Sequence, residues 1–272
     1  MKKFNLITTG ITCLLLSLGA YTPVASADEA VISIIIDDLG SDNIRHEQVV
    51  RLPGAITCSF LPMFDATRRL ANLAHEYKKD VLLHLPMESV AKNPMGPGGL
   101  SLHMTRQEFI WEMQKGLASV PHAIGINNHM GSLLTQHPGH MSWLMKEMKR
   151  NGNLLFVDSR TTSASVALAI AVEEGVPGLR RNVFLDHDPD LQSVRRQFAK
   201  MIAIAKRKGS AVAIGHPYAT TIKVLKEMLP QLNRMGVRLV AISELLKIKN
   251  ERQQLWQASL SLSQKAVKNS KP

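Results

Sequence analysis

"VISIIIDDLG" (residues 31–40) is the stretch that decides how this chain folds. A run of mostly β-branched residues ends in two adjacent carboxylates, Asp37 and Asp38, and then a turn glycine, Gly40. Such runs fit a pleated, buried strand. A strand that is apolar at nearly every position, rather than at alternate ones, is covered on both faces. Two like charges at its end repel each other and resist desolvation, so the pair needs something to offset its cost. A cation does so. If Asp38 ligates a divalent ion, the ion neutralises it and leaves Asp37 to act as a base beside a polarised water. Adjacent residues in a turn point in different directions, so one dipeptide can serve both tasks.

The pattern repeats along the chain. Apolar, β-rich runs recur at "AITCSFL" (55–61), "DVLLHLP" (80–86), "AIGINN" (123–128), "LLFVDS" (154–159), "NVFLD" (182–186), "AVAIGH" (211–216) and "VRLVAIS" (237–243). Helical patterns lie between most of them. "DATRRLANLAHEYKK" (65–79) offers Asp65 as its N-cap, and "TRQEFIWEMQKGL" (105–117) opens on Thr105 with Glu108 three residues later, a capping box. Gly152, Gly175, Gly209 and Gly236 stand where helices must end before the next strand. Alternating strands and helices imply a parallel sheet buried on both faces. Eight runs suit an irregular (β/α) barrel of seven or eight mostly parallel strands, with an open doubly wound sheet as the competitor. Residues 89–104, rich in Pro and Gly, read as a long loop. From about Asn250 the chain turns polar and basic, a peripheral tail that is either part-helical or frayed.

In a parallel α/β sheet, functional side chains gather where the strands end. Here the strand ends carry Asp37 and Asp38; His84 and Glu88; Asn127, Asn128, His129 and Ser132; Asp158 and Arg160; Asp186 to Asp188; and His216. A lone histidine beside a strand is more often structural than a ligand, but six rims of eight carrying carboxylate or imidazole form a pattern. A carboxylate and two imidazoles from different strands can hold a divalent ion such as zinc with positions left open for water. Plainer roles also exist. Glu88 can clamp the long loop, and Asp186 to Asp188 can cap the helix beginning near Pro189. His137 and His140 read as surface residues, and His46, His75 and His122 as solvated.

"IIIDDLG" (34–40), "HLPME" (84–88), "NNHMGS" (127–132), "FVDSRT" (156–161) and "GHP" (215–217) together resemble the ordered motifs of the divergent polysaccharide deacetylases, relatives of the NodB-type carbohydrate esterases. The resemblance spans residues 30–248. It implies Asp37 as catalytic base and Asp38, His84 and His129 as metal ligands. It further implies His216 as the acid that protonates the leaving amine, and Asp158 as the group orienting it. Glu88, Asn128, Ser132, Arg160 and Asp186 would then face substrate. The implied activity is zinc-dependent removal of N-acetyl groups from a cell-envelope or extracellular polysaccharide. Two departures are specific: Glu88 stands where related esterases place a second metal histidine, so His129 substitutes from the next strand, and the Arg-Pro-Pro-x-Gly motif is absent. A non-catalytic envelope protein that keeps the fold and binds glycan or another protein is the alternative.

Bulk composition bounds this reading. The chain has 272 residues with 45% hydrophobic and 5% aromatic content, enough for one large domain packed with aliphatic side chains. Residues 1–27 read as a secretory leader: a basic start at Lys2 and Lys3, an apolar stretch, and small residues at Ala25 and Ala27. This predicts a periplasmic or secreted protein, with residues 28–249 as the barrel and 250–272 as the tail. Loss of Lys2 and Lys3 would lower the formal charge from +11 to +9. That excess suits anionic polymers, but no module points to nucleic acid and nothing reads as a stable membrane anchor. Cys13 would leave with the leader. Cys58 would remain alone, a buried thiol without a disulfide partner.

Overall fold

The computed structural model describes residues 29–269, with side chains as far as residue 259. The expected leader and Cys13 fall outside the described residues. Among the described residues there are nine strands: β1 (Ala30–Leu39), β2 (Thr57–Phe60), β3 (Val81–Met87), β4 (Ala123–Met130), β5 (Leu155–Asp158), β6 (Gly178–Arg180), β7 (Val183–Phe184), β8 (Ser210–Gly215) and β9 (Val237–Leu239). They form one parallel sheet in the order β6-β5-β4-β3-β2-β1-β8-β7. The ninth, β9, pairs with the start of β1 at Ala30–Ile32, and β2 pairs with its far end from Ile35 onward.

The two outermost strands of this path decide between barrel and open sheet. Only Arg181 and Asn182 separate β6 from β7. Seven inter-strand gaps at roughly 4.8 Å would put the edges of a flat sheet about 34 Å apart, whereas a two-residue link reaches about 10 Å. The sheet must therefore curl until its edges come close, and the fold is an irregular (β/α) barrel with the seam at Arg181–Asn182. Hydrogen bonds hold that seam: the Arg181 N–H donates to the Asp158 carbonyl at 3.0 Å, and Asn182 bonds the Val212 backbone through its own N–H and its Oδ1, both at 2.8 Å. No helix fits between β6 and β7, and three-residue β6 left no periodic trace in the sequence.

Strand parity sorts the side chains. Val31 and Ile35 of β1 join Leu82, Val157, Leu179, Val212 and Ile214 in an inner core, while Ile32, Ile34 and Ile36 pack outward. The outer layer comprises α1 (Ile44–Val50), α2 (Thr67–Glu76), α3 (Arg106–Ser119), α4 (Pro138–Arg150), α5 (Ala167–Glu173), α6 (Leu191–Lys208) and α7 (Ala219–Met228). The last helix, α8 (Ile242–Asn269), sends Ile242 and Leu245 into the inner core. It runs straight through residue 250, so the boundary expected there is no structural break. Among the described residues no helix is long and apolar enough to cross a membrane.

The capping box is formed: the Glu108 N–H donates to Thr105 Oγ1, and Glu108 Oε2 accepts the Thr105 N–H at 2.8 Å. Thr105→Ala is expected to cost about 1 kcal/mol, read as a lower denaturant midpoint at unchanged slope. Asp65 does not cap α2. The N-cap position of that helix is Ala66, which offers no side-chain cap, and the hydroxyl of Thr67 donates to the Leu61 carbonyl instead. Gly209 and Gly236 end their helices in the left-handed conformation. Cys58 is fully buried, which pushes its thiol up to about 12 and makes it inert. His46 is buried rather than solvated, because the Gly40 N–H donates to its Nδ1 at 3.2 Å.

Candidate metal centre

The site begins where β1 stops being regular. Its pairing with β2 slips between Ile36 and Leu39, and Asp38 takes a left-handed backbone with φ of 58°. That conformation is costly outside glycine and collects at functional sites. Here it turns the two carboxylates apart. Asp37 keeps the inward parity of Val31 and Ile35 and is buried, while Asp38 projects over the rim, partly exposed. Gly40 follows with φ of 133°, and a Cβ there would collide with Thr67 Oγ1.

Two further strands, β3 and β4, then converge on Asp38. Its Oδ1 lies 3.2 Å from His84 Nε2 and 3.0 Å from His129 Nδ1, and those two nitrogens are 3.2 Å apart. Ligand atoms at about 2.1 Å from one ion, near tetrahedral or octahedral angles, stand roughly 3.0–3.4 Å from each other. The triangle has that size.

Asn127 fixes which nitrogen of His84 faces it. Its Nδ2 donates to Asp37 Oδ1 at 2.8 Å, so its Oδ1 faces the other way, accepting from the Ser59 hydroxyl at 2.6 Å and from His84 Nδ1 at 3.0 Å. With the proton on Nδ1, the Nε2 lone pair points at Asp38 and at His129. Asp38 Oδ1 is itself buried without a hydrogen-bond donor. A carboxylate oxygen and imidazole lone pairs aimed at one point repel unless a cation joins them, and histidine ligands characteristically donate their other N–H in this way. Asp38, His84 and His129 therefore fit a divalent ion. Their charges reflect the same crowding. Burial would raise the Asp38 carboxyl, but the His129 and His84 imidazoles beside it hold it far below the usual carboxylate range. Burial would lower His84, but Asp37 and Asp38 raise it.

Opposite stands His216, after β8, with its Nε2 at 3.7 Å from Asp38 Oδ2. Buried Asp186 orients it: Oδ1 lies 2.9 Å from His216 Nδ1, and Oδ2 accepts the His216 N–H at 2.6 Å and the Thr221 hydroxyl at 2.7 Å. Gly215 permits that approach, since a Cβ there would meet Asp186 Oδ2 at 3.2 Å. Burial would lower His216, but the Asp186 hydrogen bond and charge, with Asp38 and Asp37 behind, raise it to about 9.

These contacts correct several expectations. Asp158 shares the outward parity of Phe156, so it faces the helix layer and bonds the Arg160 N–H, the Ser165 hydroxyl and Arg180, away from His216. Asp186, expected to meet substrate, is the carboxylate that orients His216. Glu88 accepts the Leu102 N–H at 2.8 Å and ties down the long loop. Ser132 accepts the Val90 N–H at the same loop. Arg160 is exposed and outside the cavity lining. Asn128 does line the cavity, though its amide is spent on the Met130 carbonyl and the Ser159 N–H. Asp188 and Asp190 cap α6.

The cavity above the triangle holds about 500 Å³. Arg181, Phe184 and His187 from the β6–β7 seam also line it, with Ser159 and Thr161. Sequence reasoning did not select these, nor Ser59, nor Asn127 as the residue joining Asp37 to His84. Inward parity two residues before His129 was the available signal for Asn127. For Arg181 there was none, because its position follows from closure.

The model of the divergent polysaccharide deacetylase family matches residues 34–246. The chain is 37% identical over 215 residues to the uncharacterized protein YibQ of Escherichia coli K12, covering 79% of this chain and 67% of that protein. It is 36% identical over 229 residues to an uncharacterized Haemophilus influenzae protein, covering 84% and 81%. In structure it resembles the uncharacterized protein ATU2773 of Agrobacterium tumefaciens C58, with a TM-score of 0.76 at 22% identity over 82% of this chain and 92% of that one.

Proposed function

The chain belongs to the divergent polysaccharide deacetylase family, and on that premise we propose that it is an exported, zinc-dependent hydrolase that removes N-acetyl groups from a cell-envelope polysaccharide. The observation that carries this reading is the convergence of Asp38, His84 and His129 within 4.8 Å, with Asp37 on one side and His216 on the other.

A divalent ion held by Asp38, His84 and His129 would polarise the acetyl carbonyl and make a water acidic enough to attack it. Asp37 would serve as the base that takes a proton from the attacking water. Its Oδ1 is fixed by Asn127 and its Oδ2 lies 3.6 Å from His84 Nε2, so it is held in place and faces the triangle. His216 carries the proton that the departing amine needs, and Asp186 keeps its Nδ1 engaged so that Nε2 faces the cavity. Phe184, Met130 and Ile214 give the cavity an apolar wall against which an acetyl methyl can rest. The localisation rests on the leader-like residues 1–27.

Acetate release from an N-acetylated glycan by the purified, zinc-loaded protein tests the reading. Release at the rate of a heat-denatured control, across neutral and charged glycans, would overturn it.

The acid limb of the mechanism gives a pH signature. His216 acts in its protonated form, and its raised value of about 9 keeps it protonated through neutral pH. Activity is lost as pH climbs through that value. A divalent ion on Asp38 opposes part of the elevation, so the limb in the loaded protein falls at or below 9. Asp186→Asn removes the leading cause of the elevation and is expected to move the alkaline limb of kcat/KM to lower pH. A limb that stays in place would assign the titration to another group.

A further inference from the structure

Among the described residues Arg181 is a cation lining the cavity that forms no ion pair with a carboxylate. It sits in the two-residue seam that closes the barrel, stacked over the Phe184 ring at 4.8 Å, and is half-buried. Its Nε donates to the Ser159 carbonyl at 2.6 Å and its Nη2 to the Arg160 carbonyl at 2.8 Å. A guanidinium has five N–H groups in a fork suited to planar or tetrahedral anions. Among the described residues nothing bonds Nη1, and no carboxylate forms an ion pair with the group.

The two carboxylates nearest in charge are already committed. Asp37 accepts from Asn127 and faces His84; both oxygens of Asp158 are taken by Arg160, Ser165 and Arg180. Partial burial of a charge without a counter-ion is unfavourable, and it pulls the guanidinium below its ordinary value even though Asp37 and Asp158 oppose the shift. Asp38 faces His84 and His129, the proposed metal ligands, and Asp186 is engaged by His216. Among the described residues Arg181 is left without a carboxylate within ion-pair distance. His187, exposed and 5.6 Å from the Phe184 ring, lines the same side of the cavity.

We infer that the β6–β7 seam forms a subsite for an anionic group, in which Arg181 pairs with a carboxylate or phosphate carried by the acetylated sugar. The inference rests on the deacetylase reading and narrows its substrate class: the preferred glycan is acidic near the scissile acetamido group. The two backbone bonds from Nε and Nη2 hold the guanidinium plane, and Phe184 supports it from below, so the site is set before substrate arrives.

The test compares three N-acetylated oligosaccharides of the same backbone: one neutral, one bearing a carboxylate ether and one bearing a phosphate monoester. The native protein is expected to show a KM at least tenfold lower for one or both acidic substrates, and which of them gains identifies the anion. Arg181→Gln is expected to bring the acidic-to-neutral ratio to about 1, with Arg181→Lys in between. A purely structural role for Arg181 would lower rates on all three together and leave the ratio intact. That result, or equal handling by the native protein, would overturn the inference. Calorimetric binding of the same oligosaccharides supplies a readout independent of turnover. Charge-selective binding without acetate release would sink the hydrolase reading and leave the anion subsite standing. Binding that ignores charge would sink the subsite alone.

Discussion

Asp38→Asn is expected to abolish zinc binding and to lower kcat/KM by about 10³-fold. Asparagine tolerates the left-handed backbone that Asp38 adopts, so the variant keeps the turn and removes the charge. What it leaves is a neutral amide against His84 Nε2 and His129 Nδ1, too weak a ligand to hold a divalent ion at physiological concentrations. Loss of the several kcal/mol that such an ion contributes at a developing oxyanion converts to about three decades of rate. Metal content by mass spectrometry and acetate release read the two effects on one sample. Full zinc occupancy in this variant would remove Asp38 from the ligand set.

Asp37→Asn is expected to act differently: zinc retained, kcat lowered by about 10²–10⁴-fold, the span attributable to one proton-transferring group. The amide can still fill the inward position at the end of β1. It cannot accept a proton from water, and its Nδ2 or Oδ1 must now face Asn127 Nδ2, so Asn127 can flip and withdraw the Oδ1 that holds His84 Nδ1. A modest fall in metal affinity, of about 10-fold, therefore accompanies the rate loss. The pair of variants separates two adjacent residues by which quantity moves most. A native rate in Asp37→Asn would remove the proposed base.

How much of this was legible in the sequence follows from strand parity. The sheet, its parallel sense and seven of the runs that follow β1 were readable, because buried parallel strands are apolar throughout. The grouping of Asp38, His84 and His129 was readable because each ends a long run. The partner of His216 was not. "FVDSRT" and "NVFLD" both end in aspartate, and choosing between them requires knowing which residues alternate inward. Asp158 follows Phe156 outward, whereas Asp186 shares the parity of Phe184 and is buried behind His216. That phase is set by three-residue β6 and two-residue β7, too short to show a period. Arg181 belongs to the same seam, placed by closure of the whole sheet rather than by any local pattern. His46 reads as solvated in the sequence because its partner is a backbone N–H, that of Gly40, which no side-chain pattern reveals.

Anomalous diffraction at the zinc edge from crystals of the metal-loaded protein addresses the metal centre directly. One peak is expected, about 2.0–2.2 Å from an Asp38 oxygen, His84 Nε2 and His129 Nδ1, with at least one coordination position open toward Asp37. A protein that takes up no divalent ion, or an ion held elsewhere while those three side chains stay as they are, would contradict the account.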